Sequence, residues 1–177
     1  GTVLVVAGIA SSVAGALYAS VEPDAKRLLA WSTLKNSGVI ALALGLSALL
    51  DEAGQHELAG VAMAAALYHA VGHGLAKALA FLAIGEAVHA GGSRPLDHLG
   101  GLANRMPRVS LAALVATLAL CGLPALPCFA GEWLVYQSLI LGYSAGAGQL
   151  RLIARQRQKL GGMLASEKNR LHKILTD

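Results

Sequence analysis

An all-α bundle of transmembrane helices is the fold class this sequence predicts, and three observations predict it. The chain of 177 residues is 55% hydrophobic and only 14% charged, a membrane composition rather than a soluble one. Its apolar residues fall in runs of roughly twenty or more, long enough to cross a hydrocarbon core of about 30 Å as helices. Glycine is plentiful, with 21 residues, and alanine is abundant, as where membrane helices pack closely.

The first run, Thr2 to Ser20, is ended by Pro23 and by the charges of Glu22, Asp24, Lys26 and Arg27. Leu28 to Leu50 makes a second span, interrupted by the polar stretch from Trp31 to Ser37, where Lys35 is expected to reach an interface or a cavity. An acidic loop of Asp51, Glu52, Gln55, His56 and Glu57 follows, without Lys or Arg. The third span, Leu58 to Val88, is longer than the hydrocarbon core is thick. It must tilt, protrude or break, and Gly72 and Gly74 are its expected weak points. Glu86, near its far end, reads as interfacial. Gly91 to Arg108 is a polar connector. Val109 to Gly148 is apolar again but is divided by Pro124 and Pro127, with Glu132 close behind. Proline removes a backbone donor, so the helix breaks there, and an ionisable residue beside a broken helix marks ion sites in transporters.

The third span carries the chemistry. His69, His73 and Lys77 recur at i, i+4 and i+8, one polar stripe on a helix. A lysine at mid-membrane depth costs roughly 2.5–3.5 kcal/mol on insertion scales, so the stripe is expected to face a bundle interior or a wet cavity. An ion or proton path is the functional reading; histidines bonded to neighbouring helices in a structural role are the alternative. A desolvated amine can lose and regain a proton as nearby charges change, and imidazole can relay between its two ring nitrogens. The two histidines have metal-ligand spacing, but no carboxylate lies between them and Lys77 sets a cation beside them; no metal site and no cofactor are read. Cys121 and Cys128 form no CxxC motif and read as inert buried thiols.

Charge is distributed unevenly. Residues 1–150 hold seven Lys/Arg against eight Asp/Glu, whereas 151–177 hold seven against two. Two regions are therefore read: 1–148, transmembrane, and 149–177, a basic amphipathic tail with leucines at 160, 164, 171 and 175. Lipid suits such a tail, and specific nucleic acid does not, because no aromatic follows Tyr143. The positive-inside rule sets the loops of Lys26/Arg27 and of Arg94/Arg105/Arg108 in the cytoplasm, for a multi-pass protein of a prokaryotic inner membrane. Gly1 already stands inside an apolar run with no charged segment before it; this is no signal peptide, and the expectation is that the start is missing.

Four pieces in order carry a resemblance: Asp24-Ala25-Lys26-Arg27-Leu28-Leu29-Ala30-Trp31-Ser32-Thr33; His69-x3-His73-x3-Lys77-Ala78-Leu79-Ala80-Phe81-Leu82; Leu99-Gly100-Gly101-Leu102-x3-Met106-Pro107; and Gly131-Glu132-Trp133-Leu134. Over roughly 1–147 the chain resembles the proton-conducting membrane subunits of respiratory complex I, multisubunit sodium/proton antiporters and membrane-bound hydrogenases. The runs Lys35-Asn36-Ser37-Gly38 and Glu132 to Leu139 look most like the hydrogenase-4 component B and formate hydrogenlyase type. The resemblance implies part of the second of two inverted repeats, including its broken helix. It implies a non-catalytic, proton-translocating subunit coupled to a redox complex of the NADH:quinone oxidoreductase or hydrogenase kind, with other membrane and redox subunits as partners. It also assigns roles: Lys77 as the central lysine, His69 and His73 as relay partners, and Glu132 as the carboxylate of the broken helix. Ala76, Ala80 and Cys128 depart from the bulkier or more polar residues usual at their positions. The tail, from Arg155 to Leu160 and from Glu167 to Asp177, is similar to a segment of IS110-type transposases. That likeness implies the alternative: a membrane scaffold or decayed remnant of a gene interrupted by an insertion element.

Overall fold

The computed structural model describes residues 1–148, and the tail expected from 149 lies outside the described residues. Three long helices follow one another: α1 (Thr2–Val21), α2 (Ala25–Glu52) and α3 (His56–Gly91). Each is long and apolar enough to cross a membrane. After the connector, with a 3-10 turn at Leu96–His98 and one helical turn at Leu102–Arg105 (α4), comes α5 (Pro107–Leu120). Pro107 opens α5 at the first helical position, where its missing N–H costs nothing. Residues 127–139 are helical again (α6). These elements lie in one compact unit, Gly1–Leu139; the other, Ile140–Asp177, is described only through 148, and those residues are helical.

The second and third spans are each one continuous helix, so of the outcomes expected for the third span, tilting or protruding remains and breaking does not. Neither the polar stretch 31–37 nor Gly72 and Gly74 interrupts a helix. At about 1.5 Å per residue, the 36 residues of α3 run well past the thickness of a hydrocarbon core, and the helix accommodates this without breaking. Gly72 serves close packing instead: a Cβ there would lie 2.6 Å from Pro127 Cβ, whereas among the described residues a Cβ at Gly74 would meet nothing within 4 Å beyond its own helix.

Packing is inverted relative to a soluble bundle. Small residues fill the interior: Ala43, Ala65, Ala66 and Val135 form one cluster, and Ala76, Ala119 and Cys128 another. Large ones point outward, as do Leu67, Val71, Leu75 and Leu82 on α3. Lipid tails are as apolar as leucine, so burial gives no driving force and close backbone approach decides which face turns inward. Ala76 and Ala80 are both buried, Ala76 in the second of these clusters and Ala80 against Leu29 and Ala116. The α1–α2 seam shows the same logic. Gly8 and Gly15 face Gly38, Leu42 and Lys35, and a Cβ on Gly8 would stand 2.5 Å from the Leu42 amide nitrogen.

Both basic loops meet at one end of the unit. Asp24 bridges Pro95, the Ala25 amide donates to Arg94 O at 3.2 Å, and the Leu96 amide donates to Pro23 O at 3.0 Å. Asp24 also caps α2, accepting from the Lys26 and Arg27 amides at 2.8 and 3.0 Å. The bond from Arg27, helped by that from Lys26 and by the nearby Arg94 and Arg27 charges, holds this carboxyl below its ordinary 3.8. A lowered folded-state value stabilises above the unfolded value and ceases to do so as pH falls through the folded one. Asp24→Ala is therefore expected to lower the melting temperature at neutral pH, with the gap to wild type closing below about pH 3.8. A gap that persists undiminished in acid would show that the carboxylate charge is not what caps α2.

Candidate functional site: a buried polar row

The stripe expected on the third span exists and faces inward. His69 is fully buried, and His73 and Lys77 are 6% and 7% exposed. The histidine rings lie parallel, 6.2 Å apart between centroids. Lys77 Nζ donates to Leu29 O at 2.6 Å and to Ser32 Oγ, and lies 5.7 Å from the centre of the Phe81 ring. All its described partners are neutral, so the ammonium is held by dipoles and a ring face and not by a counter-charge. Among the described residues, His69 Nδ1 and both ring nitrogens of His73 are buried without a hydrogen-bond partner. Orphaned polar atoms in a low-dielectric interior are costly, and a cluster of them marks a place kept for something other than stability.

The polar stretch of α2 is what the row packs against. Ser32 and Asn36, four residues apart, share a helix face. Asn36, fully buried, donates from Nδ2 to Ser32 O at 2.8 Å, and its Oδ1 lies 3.1 Å from His69 Nε2. Sequence reasoning named neither residue as part of the site. The signal was present, as a second stripe at helical spacing in an otherwise apolar span.

Glu132 lies apart from Lys77 in its bonding. Its Oε1 accepts from Lys35 Nζ at 2.6 Å, the two side chains being 18% and 27% exposed. Lys35, expected at an interface or a cavity, thus forms an ion pair, and the pair borders a cavity of about 310 Å³ shared with Ile9, Ser12, Val13 and Tyr136. The break expected at the two prolines places this carboxylate. Between α5 and α6 the chain turns through Gly122 and Ala125, both at positive φ, 72° and 76°. Gly122 lies next to the carboxylate: a Cβ there would be 3.3 Å from Glu132 Oε2. Gly131, beside Glu132, packs directly on His69, where a Cβ would be 2.6 Å from His69 Cβ and 2.8 Å from Nδ1. The broken helix is thereby pressed against the start of the histidine row. Cys128 is buried as expected, but Cys121 is exposed, because it follows α5 at the turn and not inside a helix pair. Glu86 is exposed.

Comparison with known proteins agrees with this architecture. The model of the family described as NADH:quinone oxidoreductase/Mrp antiporter, TM, matches residues 2–153. An uncharacterized protein of Mycobacterium tuberculosis is 48% identical over 140 residues, covering 79% of this chain and 22% of that protein. Formate hydrogenlyase subunit 3 of Escherichia coli is 39% identical over 153 residues, covering 86% of this chain and 25% of its own length. Hydrogenase-4 component B of the same organism is 38% identical over 139 residues, covering 78% and 21%. The chain spans a quarter or less of the length of these curated relatives.

Proposed function

The chain belongs to the NADH:quinone oxidoreductase/Mrp antiporter transmembrane family, and on that premise we propose that it carries a segment of a membrane proton path. The path runs along Glu132, His69, His73 and Lys77, and Lys35 joins it as the partner of Glu132. One observation carries the reading: three protonatable side chains stand in a buried row on α3, with only neutral groups as described partners. A group held this way can give up its proton without stranding a counter-ion. At the near end the Lys35–Glu132 pair borders the cavity, where a carboxylate can exchange a proton with its surroundings.

Residues 1–148 are the transporter segment in this reading, set in a prokaryotic inner membrane with the Lys26/Arg27 and Arg94/Arg105/Arg108 loops on the cytoplasmic side. The names of the relatives, a formate hydrogenlyase subunit and a hydrogenase-4 component, support membrane and redox subunits of a hydrogenase-type or complex I-like assembly as partners. No residue of the row is assigned to redox chemistry. Its task is to move protons while partners do the oxidation and reduction.

The test places this segment in a full-length relative and measures proton flux into sealed vesicles. Lys77→Ala is expected to reduce flux to the background of empty vesicles, whereas the isosteric surface change Glu86→Gln is expected to leave it within about twofold. Full flux after Lys77→Ala would overturn the assignment.

A further inference from the structure

The Asn36 amide has one orientation that satisfies both of its neighbours. Ser32 O is a carbonyl and accepts only, so the group facing it at 2.8 Å is the Nδ2 amine. Oδ1 must then face His69 Nε2, at 3.1 Å, and an amide oxygen also accepts only. His69 Nε2 therefore has to carry hydrogen. In neutral imidazole that leaves Nδ1 bare, and among the described residues this buried atom makes no hydrogen bond; it faces the turn of the broken helix that carries Gly131 and the Cys128 carbonyl, which lies near the ring without completing a bond.

We propose that Asn36 is a positioning residue that locks His69 in the Nε2–H tautomer, so that this ring takes up and returns a proton through Nδ1 alone. The inference rests on the proton-path reading and changes its mechanism. A ring that relays passes a proton in at one nitrogen and out at the other, and Asn36 closes one of those doors: an amide oxygen holds a hydrogen bond but does not pass a proton on. His69 is then a station that exchanges with the side facing Gly131 and Glu132. His73, with both ring nitrogens free of described partners, is the ring through which a proton can pass towards Lys77. Burial strengthens the lock. Both residues are fully buried, so no bulk water competes for Oδ1, and turning the amide over would set its amine against the Nε2 hydrogen and its oxygen against the Ser32 carbonyl.

Solid-state nitrogen NMR on the full chain in lipid bilayers, with ring-labelled histidine, reads the tautomer directly. The His69 signals are identified by their loss in His69→Gln. At a pH where the ring is neutral, wild type is expected to show a single Nε2–H form. Asn36→Leu, which removes the acceptor at similar size, is expected to lose that exclusivity and show a mixture of the two tautomers. Asn36→Asp keeps an oxygen opposite Nε2 and is expected to restore the single form, which separates acceptance from mere packing. If the leucine variant does not fold, as judged by helical circular dichroism, Asn36→Ala removes the acceptor instead and is expected to show the same mixture. A tautomer mixture or an Nδ1–H form in wild type overturns the proposal, and so does a mixture in Asn36→Asp. None of these readouts depends on transport, so failure of the lock is distinguishable from failure of the proton path, which the Lys77→Ala flux decides.

Discussion

Lys35→Met is expected to destabilise the protein by about 2–3 kcal/mol, a value between the fraction of a kcal/mol typical of an exposed ion pair and the larger loss from breaking a buried one. Glu132 is 18% exposed, so removal of the ammonium 2.6 Å away leaves a carboxylate largely out of water and without its counter-charge. The double change Lys35→Met with Glu132→Gln is expected to recover most of the loss, because no uncompensated charge then remains. Thermal or denaturant unfolding of the three variants in lipid or mild detergent measures this. Flux behaves differently: both single changes and the pair are expected to stay inactive, since the double variant lacks a titratable group at that end of the row. Additive stability losses in the double variant would mean that the two residues do not act as a pair. Recovered flux would remove Glu132 from the path.

Gly15→Leu is expected to cost more than about 3 kcal/mol, beyond the usual range for overpacking, because the new side chain meets backbone and not a flexible neighbour. Even a Cβ at Gly15 collides with the Lys35 amide nitrogen and lies 2.8 Å from Trp31 O. The two helices would have to separate at the turn that carries Lys35, Ser32 and Asn36. Ser12, whose Oγ donates to Lys35 O at 3.0 Å, would lose that bond as well. Loss of folded protein and of flux together is the expected result. Gly74→Ala provides the contrast. Among the described residues nothing outside its own helix lies within 4 Å of a Cβ there, and replacing a helix-interior glycine by alanine stabilises by roughly 0.5–1 kcal/mol. Equal tolerance at both positions, read from yield and melting temperature, would mean that the α1–α2 seam is not close-packed.

Much of this protein was determined by its sequence alone, and the reason is the cost of polarity in lipid. Runs of apolar residues bounded by charge set the three long helices to within a few residues of where they lie. Two prolines set the break before Glu132. The spacing of His69, His73 and Lys77 required an inward stripe, because no other face could hold them. Pairing was another matter. Lys35 and Glu132 are 97 residues apart, and which α2 side chain meets the broken helix depends on the register in which α2, α3 and α6 pack. Hydropathy marks the polar stripes of α2 and α3 but not which residue of one stripe meets which residue of another. Side-chain size settles it: glycine and alanine bring backbones together at Gly8, Gly15, Gly72 and Gly131, and that approach places Asn36 on His69 and Lys35 on Glu132. The same effect explains why Gly72 does not break α3. A glycine pressed against Pro127 is held by its neighbour, and only the tertiary structure determines whether a glycine in a membrane helix is a weak point or a contact.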